Sequence, residues 1–154
     1  MKQTRISYWL KGIVIALGIM GIFFFGALTW YGFYLKGEEN PLWGWVVFSW
    51  YIAALCYVIL FEFWQVCTQI GRDNSFSMEN ARAFRRMGLC GASAILGFAG
   101  RLIFICVIDA LDFGRVIFIV AEIMLAAIFA ILCEALSRLV QYAYEVKREN
   151  ELTI

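Results

Sequence analysis

Four stretches of apolar sequence, each long enough to cross a bilayer as a helix, constrain this chain more than any other feature. They run over residues 13–35, 42–67, 87–109 and 116–138. A helix rises ~1.5 Å per residue, so about 20 residues cover the ~30 Å of hydrocarbon in a bilayer. The first stretch holds no charged residue between Ile13 and Leu35. Hydrophobic residues make up 63% of the 154, and a water-soluble chain of that size leaves too much surface exposed to hide so much apolar material. Lipid is the solvent that suits the composition. The expected fold is therefore all-α: an integral membrane antiparallel bundle of four transmembrane helices. It forms a single membrane domain over residues 1–154, because the connections are too short to hold a second one.

Charge sets the expected orientation. Lys2, Arg5 and Lys11 precede the first span; Arg72, Arg82, Arg85 and Arg86 lie between the second and third; Arg138, Lys147 and Arg148 follow the fourth. Those ten share one side, against Lys36 and Arg115 in the two opposite loops. The positive-inside rule places both termini and the middle loop in the cytoplasm. Aromatic residues agree: Tyr8, Trp9, Trp64, Tyr142 and Tyr144 fall near the inner interface, and Trp30, Tyr31, Tyr34, Trp43 and Trp45 near the outer one. The outer loops, Lys36–Pro41 and Ala110–Gly114, are too short for a folded external domain. No cleaved leader is expected, since the first apolar stretch far exceeds a signal-peptide core and three more follow it. No lipid anchor is expected either.

Several chemistries are disfavoured. The net charge of +1 supplies no general field for nucleic acid. There is no histidine, and Cys56, Cys67, Cys90, Cys106 and Cys133 form no CxxC pair, so neither a metal nor another cofactor is expected. The cysteines read as small apolar fillers. No nucleophile–base motif or phosphate-binding loop is present, which argues against an enzyme.

The middle loop carries the most distinctive polar sequence. Gly71–Ser75 reads as a turn, Ser77 as an N-cap, and Glu79 as a first-turn carboxylate favoured by the helix dipole. From Met78 to Met87 the spacing gathers Arg82, Arg85 and Arg86 on one side and Ala81, Phe84 and Gly88 on another. A short cytoplasmic amphipathic helix before the third span is expected. Its arginines suit either anionic lipid headgroups or a cytoplasmic protein partner. Direct nucleic-acid binding is not expected from a single short stripe.

Within the spans, small residues recur four apart, as at Gly88–Ala92, Ser93–Gly97, Ala126–Ala130 and Cys133–Ser137. Such spacing lets helix backbones approach in lipid, whether within one chain or in a homo-oligomer. Four ionisable residues also lie inside the spans: Glu62, Arg101, Glu122 and Glu134. Charges at membrane depth are costly and tend to face protein or a wet cavity. Arg101 and Glu122 differ in depth by only ~4–5 Å when counted from the loop between them. An ion pair between the third and fourth spans is the plain reading, and a site for a charged ligand or transported ion is the functional one. Glu62 and Glu134 lie at similar depth. Each serves packing, with Arg138 one turn beyond Glu134 as a partner, or the two share a proton or cation.

Phe76-Ser-Met-Glu-Asn80, followed by Ala81-Arg-Ala-Phe-Arg-Arg-Met-Gly88, resembles the cytoplasmic signature of the DUF2975 family, as the ending Glu151-Leu-Thr-Ile154 resembles that family's ending. Phe84-Arg-Arg-Met87 departs from the more usual aliphatic pair around the arginines. The resemblance covers the four-span layout. It implies a small bacterial inner-membrane protein of unknown function, often encoded beside a small helix-turn-helix regulator. No catalytic residue carries over. The expected role is a non-enzymatic, regulatory or partner-binding protein at the cytoplasmic face. Its partners would be membrane lipid and a cytoplasmic protein such as a small transcriptional regulator. The alternatives are immunity-like protection against a membrane-active peptide, and a small transporter or channel using the buried carboxylates.

Overall fold

A computed structural model describes residues 2–36, 43–72, 74–108 and 113–152. All regular structure among them is helical: α1 (Lys2–Lys36), α2 (Trp43–Gly71), α3 (Met78–Ile108) and α4 (Phe113–Leu152). Each helix is long and apolar enough to cross a membrane. The expected outer loop at Lys36–Pro41 apart from Lys36, most of the one at Ala110–Gly114, and the Thr153-Ile154 end lie outside the described residues.

The chain divides into two compact units, Met1–Asp73 and Asn74–Ile154. In the first, α1 and α2 form an antiparallel pair whose contacts step forward along α1 as they step back along α2. Ser7 Oγ donates to the carbonyl of Cys67 at 2.6 Å. Lys11 Nζ lies 5.1 Å from the centre of the Trp64 ring, a cation–π contact. Tyr57 Oη donates to the carbonyl of Gly18 at 2.9 Å. At the far end, a Cβ on Gly32 would stand 3.1 Å from the Trp45 ring, so glycine there gives the indole its room.

In the second unit α3 and α4 pack antiparallel along a seam of small side chains. A Cβ on Gly91 would stand 3.1 Å from Ala130 Cβ and from the Phe129 ring, and 3.4 Å from the Ala126 carbonyl oxygen. Gly88 faces the Ala130 carbonyl and Cys133 Cβ, each 3.5 Å from the same ideal position. Ala81, Met87, Ile105, Ile119 and Cys133 are buried. Close approach of this kind replaces the hydrophobic drive that lipid removes, because dispersion contacts and interhelical hydrogen bonds then hold the pair.

Helix lengths differ from the expected spans in one informative way. The basic segment Met78–Met87 is helical, but it is the first part of α3 and not a separate short helix. Residues 81–87 are mostly strong helix formers, and extending a formed helix is easier than nucleating a second one beside it. α4 is longer still, 40 residues or ~60 Å. That is about twice the hydrocarbon thickness, and residues 145–150 at its polar end are all exposed.

Candidate functional site

The start of α3 is built by short side chains. Ser77 Oγ accepts the backbone N–H of Asn80 at 3.2 Å, and the Ser77 carbonyl accepts that of Ala81 at 3.1 Å. This is an N-cap, satisfying a donor that has no partner within the helix. Asn80 is 2% exposed. Its Nδ2 donates to the carbonyls of Ser75 and Asn74, at 2.9 and 3.4 Å. One amide thus ties the preceding loop to the helix it leads into. Across the seam, Ser137 Oγ donates to the Ala81 carbonyl at 2.7 Å. These contacts are among the described polar groups that hold the first turns of α3 against α4.

On that fixed backbone Arg82, Arg85 and Arg86 are all exposed, while Ala81, Ala83 and Met87 are buried. Exposed guanidinium groups on a well-anchored helix present fixed positive charge, and their planar forks suit carboxylate or phosphate oxygens.

The four ionisable residues inside the spans are placed differently from one another. Arg101 Nη1 and Glu122 Oε2 approach to 3.8 Å across α3 and α4. Glu122 Oε2 is buried and accepts no hydrogen bond. Glu134 Oε1 accepts from Arg138 Nε at 2.9 Å, one turn along the same helix, with both side chains well exposed. Glu62 is buried on α2, in the first unit. Among the described residues no three His, Cys, Asp or Glu side chains gather as a metal ion would require.

Three polar residues do more than their sequence positions suggest. Ser7, Asn80 and Ser137 are buried and each reaches a backbone carbonyl outside its own helical turn. Serine and asparagine in apolar surroundings were the available signal, but the identity of the carbonyl depends on which helix faces which.

Four long apolar helices, with charged and polar side chains spaced through them, define a multi-pass helical membrane protein. The chain belongs to the DUF2975 family, described as proteins of unknown function, whose sequence profile matches residues 37–154. No curated protein and no solved structure matches it.

Proposed function

We propose that this chain is a non-enzymatic protein of the bacterial cytoplasmic membrane that holds a cytoplasmic protein at the membrane surface. Both termini and residues 68–86 face the cytoplasm, and residues 1–154 act as one membrane domain of four spans. The observation that carries the reading is the row of exposed arginines at positions 82, 85 and 86, set on a helix start pinned by Ser77, Asn80 and Ser137. A site meant only to brush lipid headgroups needs charge, not a backbone held from two directions. Binding sites benefit from such preorganisation, since less freedom is lost on association. The ten-to-two division of Lys and Arg supports the cytoplasmic placement. Resemblance to the family suggests a small transcriptional regulator as the partner class.

The test is a photo-crosslinking residue at position 82, activated in native membranes, with the adducts identified by mass spectrometry. The same protein adduct should recur in replicate membranes and vanish in R85E/R86E, with the membrane level of the chain unchanged. Adducts to lipid alone would sink the reading.

A second reading, a small transporter, draws on the buried Glu62 of α2. Proteoliposomes carrying a pH gradient would test it. Dissipation by wild type and not by E62Q would move transport ahead of partner binding.

A further inference from the structure

Arg82 and Arg85 are exposed, and among the described residues neither side chain makes an ion pair or a hydrogen bond. Arg86 beside them already has an interaction of its own. By helical spacing, Arg82 and Arg85 stand on the side of α3 away from the buried Met87 and Gly91. Neighbouring carboxylates of the same unit are engaged elsewhere: Glu134 takes Arg138, and Glu145 takes Gln141. The first unit has little negative charge to offer. Of its four carboxylates, Glu38 and Glu39 belong to the opposite loop and Glu62 is buried, which leaves Asp73 against Lys2, Arg5, Lys11 and Arg72. Two guanidinium groups on a pinned helix therefore call for negative charge from another molecule.

Lipid phosphate and protein carboxylate are the two sources of such charge, and the shape of α3 separates them. An amphipathic helix that binds headgroups lies flat in the interface, with its basic side spread over the membrane plane. Here the basic segment is the first part of a helix long enough to cross the membrane, so Arg82 and Arg85 follow one another along its axis, ~4.5 Å apart. Counting back from Ile108, ~30 Å of hydrocarbon takes about 20 residues and ends near Gly88. The headgroup layer adds ~5–8 Å, or roughly four or five residues more. Arg82 stands at its outer limit. Side chains of a helix lean toward its N-terminus, which carries both guanidinium groups further from the bilayer centre. We propose that the cytoplasmic partner meets Arg82 and Arg85 through the acidic side of a helix, with Asp or Glu three or four residues apart. Side chains at that spacing stand ~5–6 Å apart on either helix, so a helix laid along α3 sets a carboxylate against each guanidinium. Paired helices match opposite charges along their flanks in the same way. The inference rests on the docking reading above and names the chemistry that the partner brings.

Three labelled helical peptides test it against the full chain in phosphatidylcholine nanodiscs, with binding read by fluorescence anisotropy. One carries Glu at three- and four-residue spacing along a single side. Its twin carries the same residues scattered round the helix. A third has Lys in place of each Glu of the first. The wild-type chain should bind the one-sided Glu peptide about tenfold more tightly than the scattered twin. R82Q/R85Q should lose that preference, and R82E/R85E should take the Lys peptide instead, with helix content checked by circular dichroism. A misfolded chain cannot exchange one peptide for the other, and the Gln variant serves if the reversal does not fold. Equal binding of the one-sided and scattered peptides overturns the proposal, as does a preference that survives in folded R82Q/R85Q. Nanodiscs with one third phosphatidylglycerol supply the lipid arm: a preference that persists there supports the proposal, and its loss assigns the arginines to lipid phosphate and overturns it. The crosslink at position 82 separates this inference from the reading it rests on. A recurring protein adduct with no preference for the one-sided peptide overturns the acidic helix and leaves docking in place. Lipid adducts alone, with no peptide preference, overturn both.

Discussion

Ser137 and Ala81, fifty-six positions apart, are joined by a 2.7 Å hydrogen bond from the serine hydroxyl to the alanine carbonyl. It clasps the first turn of α3, just before the arginines at 82, 85 and 86, to α4. S137A removes the donor without changing the backbone. An interhelical hydrogen bond of this kind contributes about 0.5–1.5 kcal/mol. Thermal unfolding of the purified variant in detergent should show a loss of that order, and an unchanged midpoint would mean the clasp is not formed.

In the first unit, Gly71 and Ser7 meet so closely that a Cβ on Gly71 would stand 2.7 Å from Ser7 Oγ. That oxygen is the donor to Cys67. G71A should therefore displace it and destabilise the α1–α2 pair as much as S7A does, by about 1 kcal/mol. Because both variants break the same bond, S7A/G71A should cost less than the two single losses combined. Additive losses would show that the two residues act separately.

The two glycines of the α3 seam should respond differently to the same substitution. At Gly88 the nearest atoms are 3.5 Å from a new Cβ, an ordinary van der Waals distance, so G88A should be tolerated. At Gly91 the Ala130 methyl and the Phe129 ring stand at 3.1 Å. G91A forces a shift, and G91L should prise the helices apart at a cost of about 1–3 kcal/mol. Equal stability of G88A and G91L, measured by the same unfolding assay, would contradict the close seam.

Orientation is tested by labelling. In a background with the five cysteines replaced, S75C should stay unlabelled by an impermeant thiol reagent on intact cells, and E39C should react. Ten Lys and Arg on the side of residue 75 against two on the other motivate this. Labelling of S75C from outside would reverse the assignment and remove the basis for a cytoplasmic docking surface.

Asn80 provides a test of the loop before α3. N80A deletes the amide that donates to Ser75 and Asn74. It should loosen this loop by about 1–3 kcal/mol, since the site is buried. Faster hydrogen exchange confined to residues 74–81 is the expected readout. Protection equal to wild type would show that Ser77 alone holds the turn.

How far the sequence could be read depends on whether a feature is local or relational. Four long helices, the cap at Ser77 and the exposure of Arg82, Arg85 and Arg86 all follow from hydrophobic run length and helical spacing, which neighbouring residues impose on one another. Continuity was harder to see. The same amphipathic spacing fits a separate helix and the first turns of α3 equally well, and the unbroken run of helix formers through Met87 decided for the latter. Depth counting brought Arg101 and Glu122 to a common level, but side-chain exposure and the unsatisfied Oε2 of Glu122 needed coordinates. The carbonyls chosen by Ser7 and Ser137, and the difference between Gly88 and Gly91, arise only from rotation of one helix about its neighbour. A sequence by itself determines which face of a helix is small, polar or apolar. Only tertiary packing decides which atom stands across from it, because a contact across two helices depends on both their register and their rotation, and neither is written in the spacing of one helix alone.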